Sequence, residues 1–154
     1  MIFIRVKECM CSNVITVKQD DNIACVAKLM KENDIGCMPV CDNTNKVIGF
    51  ITDRDIVLRG IAEDKDCNQT KVKDLMVKNI IKTTPDTDIE DASKTMQENQ
   101  IRRIPVIENE RIVGILSIGD IARSEKISCK ETGHIFECIC KVGNDCKQEY
   151  KQNG

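Results

Sequence analysis

The chain has 154 residues, of which 41% are hydrophobic, and its 23 basic and 25 acidic side chains leave a formal net charge of −2. This length can bury a core as one domain or two small ones, and the balanced charge argues against nucleic-acid or membrane partners. No apolar run approaches the ~18 residues that span a bilayer, and no signal-peptide core is present. We therefore expect a cytoplasmic protein whose ten cysteines are reduced thiols.

An internal repeat organises the chain. The segment Val72–Met76 repeats Val6–Met10 after 66 residues, and Asp120-Ile121 repeats Asp55-Ile56 after 65 residues. A repeat of this kind determines how every later motif is interpreted. The chain divides into two copies, a polar connection and a cysteine-containing C-terminal helix and tail: residues 6–63, 72–125, 64–71 and 126–154.

The first copy predicts a strand, a helix, a hairpin and a second helix. Apolar residues from Ile23 to Met30 recur at helical spacing, and Asn22 precedes them at a position suited to an N-cap. The apolar segments 38–41 and 47–52 then predict two strands around a polar turn. A second helix is expected to begin after Thr52.

The second copy repeats this pattern. Ile89 to Met96 predict a helix after Asp88, strands are expected over 104–107 and 112–117, and a last helix follows Ser117. A unit of about 55 residues buries too little surface to be stable alone. We therefore expect an α/β body of the α+β type, in which the two copies pack with pseudo-twofold symmetry around a cleft.

The second half of each copy resembles a CBS (cystathionine-beta-synthase) domain. The residues that carry the resemblance are 35–40 with 49–56, and 101–106 with 114–121. The resemblance covers about residues 6–125, and a tandem pair of this kind is a Bateman module. The resemblance implies two β-α-β-β-α repeats that form a non-catalytic regulatory sensor. Such a sensor binds AMP, ADP, ATP or S-adenosylmethionine in the cleft between the repeats and requires no cofactor.

The resemblance also implies a homodimer. In a lone pair of repeats, the apolar residues Ile56, Val57 and Ile61 would be incompletely covered, which favours association with a second copy. Ligand occupancy would then be reported to an effector protein that the sequence does not identify.

A motif of the form Gly-x-x-Thr/Ser-x-x-Asp carries the expected binding chemistry. It places a hydroxyl, Thr52 or Ser117, where a strand meets a helix, and a carboxylate, Asp55 or Asp120, one helical turn later. The resemblance implies that the carboxylates accept hydrogen bonds from ribose hydroxyls. Phosphate would lie beside the hydroxyls, where unpaired backbone N–H groups favour an anion. Each of these residues is also explained as an ordinary N-cap or first-turn acid.

Basic residues distinguish the two copies. Arg102 and Arg103 match positions at which the family resemblance places phosphate, and guanidinium groups bind phosphate in a bidentate manner. The first copy has Gly36 and Cys37 there, which leaves only Arg54. We therefore expect the second-copy site to be the stronger one. The resemblance places adenine beside four backbone positions: Thr16, Val17, Thr83 and Thr84.

The tail contains candidate metal ligands, namely Cys129, His134, Cys138 and Cys140. The spacing of Cys138 and Cys140 is tight for one tetrahedral ion, so no metal site is predicted. A short helix over 131–141 is the alternative reading. Because the apolar pattern of the repeat is complete by Ala122, we expect the tail to be dispensable for folding.

Two other functions stay open. A ligand-free structural adaptor, whose dimer only brings partners together, predicts no stabilisation by adenosyl compounds. A thiol-based metal or redox protein predicts bound metal under reducing conditions. Catalysis is disfavoured because the chain has one His, no phosphate-cradling Gly-rich motif and no Ser/His/Asp arrangement.

Overall fold

The computed structural model describes residues 3–140. Its elements follow the chain in the order β1 (Val17–Lys18), α1 (Ile23–Asn33), β2 (Cys37–Cys41), β3 (Val47–Thr52), α2 (Asp53–Asp55), α3 (Val72–Leu75), α4 (Ile89–Glu98), β4 (Arg103–Glu108), β5 (Arg111–Ser117), α5 (Ile118–Arg123) and α6 (Cys129–Cys140). Helix α2 continues as a π-helical segment, Ile56–Gly60, and a 3-10 turn, Ile61–Glu63. This is the mixed fold that the sequence predicts. Within residues 3–140, no helix has both the length and the apolar character needed to cross a membrane.

The chain folds as two compact units that do not coincide with the two sequence copies. The first-repeat unit comprises residues 12–80 and 107–113, and the second-repeat unit comprises the remaining described residues, 3–11, 81–106 and 114–140. The residues that begin each copy therefore belong to the unit built around the other copy.

The first-repeat unit contains a three-stranded sheet in the order β1-β2-β3. Strand β1 is parallel to β2, with Val17 opposite Val40, and β2 is antiparallel to β3. Helix α1 begins at Asn22, whose side chain accepts a hydrogen bond from the Cys25 N–H at 2.9 Å. The buried residues of α1 are those that the helical spacing predicts, Ile23, Val26 and Met30.

Helix α3 completes the core of the first-repeat unit, although its residues begin the second sequence copy. Val72 and Leu75 are buried in the same cluster as Ile23 and Ile51. Val77, just after α3, bridges to Phe50 of β3, and its N–H donates to the Phe50 carbonyl at 2.8 Å.

The second-repeat unit repeats this plan with the parts of β4 and β5 that belong to it, residues 103–106 and 114–117. Thr83 bridges to Val106 in the parallel direction, at the place that β1 occupies in the other unit. A 3-10 turn, Val6–Glu8, takes the place of α3: Val6 is buried, and its N–H donates to the Thr87 carbonyl at 2.9 Å. Helix α4 begins at Asp88, which accepts a hydrogen bond from the Glu90 N–H.

Helix α6 packs against α4 and α5 of the second-repeat unit. Ile127 and Ile139 are buried, with Ile139 only 2% exposed. Before the helix, the Lys126 ammonium donates to the Glu8 carboxylate at 2.7 Å. These contacts argue against the expectation that the tail is dispensable, because part of the core of this unit comes from it. The end of the predicted helix, residue 141, lies outside the described residues.

Candidate functional site

In the second-repeat unit, Ser117 and Asp120 meet at the junction between β5 and α5. The Ser117 hydroxyl accepts a hydrogen bond from the Asp120 N–H at 3.1 Å, and Asp120 Oδ2 accepts one from the Ser117 N–H at 2.9 Å. This reciprocal arrangement is a capping box. It holds the hydroxyl and the carboxylate together in a fixed geometry.

Arg123 is a member of this site that the sequence analysis missed. Its guanidinium donates to Asp120 Oδ1 at 2.8 Å, with the Arg123 side chain 75% exposed and that of Asp120 14% exposed. The guanidinium also lies over Gly119, where an added Cβ would be 3.2 Å from one of its nitrogens. The i, i+3 spacing of Asp120 and Arg123 within a predicted helix was the available signal.

Arg102 contacts the same junction through its backbone, and Arg103 follows it as the first residue of β4. The Arg102 carbonyl accepts a hydrogen bond from the Ile118 N–H at 3.1 Å, which places the residues before β4 beside the first residue of α5. Both arginine side chains are exposed. Within residues 3–140, neither guanidinium has an ion-pair or hydrogen-bond partner.

The predicted adenine-contacting positions of this unit, Thr83 and Thr84, form hydrogen bonds within the fold. The Thr83 N–H donates to the Pro105 carbonyl at 2.9 Å, and Thr83 is buried. Thr84 is exposed, and its hydroxyl lies 2.7 Å from that of Thr87. The Thr83 N–H is therefore already paired with a backbone carbonyl of the fold.

The first-repeat unit builds the same junction from Thr52 and Asp55. The Thr52 hydroxyl accepts from the Asp55 N–H at 3.1 Å, and Asp55 Oδ2 accepts from the Thr52 N–H at 3.0 Å. The residue that corresponds to Arg123 is Leu58, so among the described residues Asp55 has no ion-pair partner. The two motifs thus share their geometry and differ in what surrounds the carboxylate.

A second carboxylate, that of Asp53, lies beside this junction and was also missed. The Asp53 N–H donates to the Gly36 carbonyl at 2.9 Å. The side chain then folds over Gly36, because a Cβ built on Gly36 would be 2.8 Å from Asp53 Oδ2. Asp53 Oδ1 accepts from the Arg54 N–H at 2.8 Å, whereas the exposed Arg54 side chain forms no ion pair within residues 3–140.

Thr16 and Val17 lie at the start of the first sheet. Val17 is buried in the core, so its side chain does not belong to an accessible surface. Thr16 is exposed, and its side chain forms a hydrogen bond with the thiol of Cys41. Burial of Cys41 raises the pKa of this thiol, and the Thr16 hydrogen bond opposes that shift.

Among the metal candidates of the tail whose side chains are described, His134 and Cys138 lie close together. His134 Nε2 lies 3.8 Å from Cys138 Sγ, and Cys129 is exposed. The side chain of Cys140 is outside the part of the chain that the structure describes. Among the side chains that are described, no group of three or more His, Cys, Asp or Glu is placed to hold a metal ion. A structural zinc site needs four ligands.

A cavity of about 700 Å³ lies between α4 and α6. Its lining includes Ile89, Lys94, Lys130, His134 and Cys138, and none of the residues predicted to bind a nucleotide. It is therefore separate from the two junctions.

The sequence comparisons place both copies in one family. A family model described as the CBS domain matches residues 6–60 and 72–126. The CBS domain-containing protein YhcV of Bacillus subtilis is 38% identical over 117 residues, which cover 76% of this chain and 82% of that protein. The resemblance seen in the sequence is thus confirmed for both copies.

Two solved structures share the fold. Hypoxic Response Protein I, with two coordinated zinc ions, is 34% identical with a TM-score of 0.71, covering 78% of this chain and 98% of that one. The CBS domain pair of protein MJ0100, in complex with 5′-methylthioadenosine and S-adenosyl-L-methionine, is 27% identical with a TM-score of 0.70, covering 79% of this chain and 95% of that one.

Proposed function

The chain belongs to the CBS domain family, and from this membership we propose that it is a non-catalytic regulatory module that binds adenosyl compounds. The candidates are AMP, ADP, ATP and S-adenosylmethionine. The binding residues are those of the Ser117–Asp120 junction in the second-repeat unit and of the Thr52–Asp55 junction in the first-repeat unit. No disulfide joins the eight cysteines whose side chains are described, which is compatible with action in the cytoplasm.

The observation that carries the proposal is the fixed carboxylate of Asp120. One of its oxygens is held by the Ser117 N–H and the other by Arg123. A carboxylate has about four lone-pair positions, so ribose hydroxyls that displace the exposed Arg123 from Oδ1 find acceptor capacity there. Charge-assisted hydrogen bonds of this type are stronger than neutral ones. The equivalent placement of Asp55 gives the first-repeat unit the same capacity.

The ligands of a structural relative support the same chemical class. Protein MJ0100 holds 5′-methylthioadenosine and S-adenosyl-L-methionine, which share an adenosyl group. The common part of these ligands is what a ribose-binding carboxylate would recognise. Substituents at the 5′ carbon would then be selected by the residues around it.

We also propose a homodimer. Val57, Leu58 and Ile61 form an apolar patch on the first-repeat unit, and they are 50%, 46% and 58% exposed. The corresponding residues of the second copy are Ala122, Arg123 and Lys126, so the patch is a property of the first repeat alone. A second copy of the chain would cover this patch by a self-complementary contact. Ile56, which was expected to be uncovered as well, is buried.

A thermal-shift panel of adenosyl compounds tests the proposed function. A ligand at a hundred times its Kd stabilises the fold by about 2.7 kcal/mol, which raises the Tm of a chain of this size by about 5 to 10 °C. AMP, ATP, S-adenosylmethionine and 5′-methylthioadenosine are compared with cytidine monophosphate as the control. The proposal fails if no adenosyl compound shifts the Tm more than the control does.

A further inference from the structure

The two proposed sites carry opposite charge, although their capping boxes are alike. The second copy has three arginines at this motif: Arg123 is paired with Asp120, Arg102 is bonded through its backbone carbonyl to the first residue of α5, and Arg103 follows Arg102. The matched positions of the first copy hold Gly36, Cys37 and Leu58. The first-repeat unit instead has a second carboxylate, Asp53, where the second has Ile118. These four differences make the second-repeat site the more basic one, and Arg54, whose counterpart is Gly119, offsets only part of this contrast.

From this contrast we propose that the two sites sort adenosyl ligands by the charge of the 5′ substituent. The second-repeat site takes ligands that carry phosphate. The first-repeat site takes ligands whose 5′ substituent is uncharged or cationic, such as a thioether or a sulfonium group. This inference rests on the proposed function, because it assigns a ligand class to each of the same two sites.

Asp53 decides the preference of the first-repeat site. Its carboxylate lies directly over Gly36, the residue whose counterpart is Arg102. The first-repeat unit therefore has a carboxylate at the place where, in the second-repeat unit, the side chain of Arg102 starts. With Asp55 in the same motif and Arg54 its only basic residue, the motif carries two carboxylates and one guanidinium. A phosphate at this place meets like charge, whereas a sulfonium meets opposite charge.

Arg102, Arg103 and Arg123 decide the preference of the second-repeat site. Arg102 and Arg103 have no polar partner within residues 3–140, so both guanidiniums are available to an anion. Arg123 is paired with Asp120. When ribose hydroxyls displace Arg123 from Asp120 Oδ1, Arg123 loses its ion-pair partner. The phosphate of a phosphorylated ligand can replace that partner. A neutral nucleoside supplies none, and it therefore binds less well.

Titration calorimetry with two probes, AMP and 5′-methylthioadenosine, tests the inference one site at a time. Asp55→Ala leaves the second-repeat site, and Asp120→Ala leaves the first-repeat site. We expect about a tenfold preference for AMP in the Asp55→Ala protein. We expect the opposite preference in the Asp120→Ala protein. Raising the salt concentration should weaken only the binding of AMP in the Asp55→Ala protein.

Charge variants with little effect on shape then assign the preference to particular residues. Asp53→Asn keeps an acceptor for the Arg54 N–H and, in the Asp120→Ala background, should strengthen AMP binding about threefold. Replacing Arg102 and Arg103 by Gln in the Asp55→Ala background should weaken AMP binding about tenfold. In both cases the affinity for 5′-methylthioadenosine should stay within about twofold, and circular dichroism should show an intact fold.

The outcomes separate the inference from the function on which it rests. If neither probe binds the unaltered chain, the inference fails, and the thermal-shift panel decides separately whether the proposed function fails with it. If both probes bind but the preference is the same in the two backgrounds, or is unchanged by the charge variants, the sorting is wrong and adenosyl binding stands.

Discussion

Arg123 and Asp120 form an ion pair across one turn of α5, with 2.8 Å between a guanidinium nitrogen and Oδ1. Because the arginine is largely exposed, the pair adds little to the free energy of unfolding. The carboxylate itself is fixed by the Ser117 N–H and does not depend on the arginine for its position. A ligand can therefore displace Arg123 at small cost and find Asp120 already in place.

Replacing Asp120 by Ala should weaken AMP binding about ten- to a hundredfold, because a charge-assisted contact of about 1.5 to 3 kcal/mol is lost. Asp55→Ala should cost less AMP affinity, since its junction lacks the arginines. Titration calorimetry measures both. Asp120→Asn is the matched control for folding, because its amide oxygen can still accept from the Ser117 N–H. Equal AMP affinity in the unaltered and Asp120→Ala proteins would rule out Asp120 as the ribose ligand.

Lysine substitutions in the exposed apolar patch should break the proposed homodimer. Leu58→Lys and Ile61→Lys together place two charges where an isologous contact would bury them, which is costly without a partner. Light scattering in reducing buffer should give the mass of a dimer for the unaltered chain and of a monomer for the variant. Lys substitutions of Arg123 and Ala122 on the second-repeat unit are the control, and should leave the dimer intact. A monomeric mass for the unaltered chain would contradict the prediction.

Shortening Ile139 should destabilise the second-repeat unit. Ile139→Ala removes a fully buried side chain of α6, at a cost of about 2 to 5 kcal/mol. Phe136→Ala, on the same helix, is the control, since Phe136 is 48% exposed. Thermal unfolding should show a clearly lower Tm for the Ile139 variant alone. Equal Tm values for the two variants would mean that α6 adds no core, and the tail would be dispensable after all.

Acid should weaken the contact between the leading segment and the loop before α4. The hydrogen bond and charge of Lys7 hold the pKa of Asp86 below its usual value of 3.8. A carboxylate whose pKa is lowered by folding stabilises the fold above its unfolded pKa, and this contribution is lost as the pH falls through the folded value. Urea midpoints should therefore fall below about pH 4, and less steeply in Asp86→Asn.

Cys41 should react with iodoacetamide more slowly than the exposed Cys25. Burial raises the pKa of the Cys41 thiol, and the thiolate is the reactive form. Mass spectrometry of the peptides at about pH 8 measures the two rates, and urea should bring them together because unfolding removes the burial. Similar rates in the folded protein would show that Cys41 is accessible.

The sequence by itself determined the features that depend on neighbours within a few residues. The helical spacing of Ile23, Val26 and Met30 identified the buried face of α1, and the three-residue separation of Ser117 and Asp120 was enough to make a capping box. Contacts of this range follow from backbone geometry alone, since positions one helical turn apart are always close.

Only the tertiary structure decided how distant segments combine. Arg5 bridges to Asp88 and Lys71 to Asn22, so the leading residues of each copy complete the other copy's unit. The sequence repeat does not predict this exchange. The two leading segments have the same apolar pattern, so either one could pack against either copy. The carboxylate of Asp53 over Gly36 also depends on a pairing between distant residues. Strands β2 and β3 pair Cys37 with Thr52, and Gly36 and Asp53 are the next residues beyond this pair. This register is set by the turn and by the burial of one sheet face, and not by spacing within either strand.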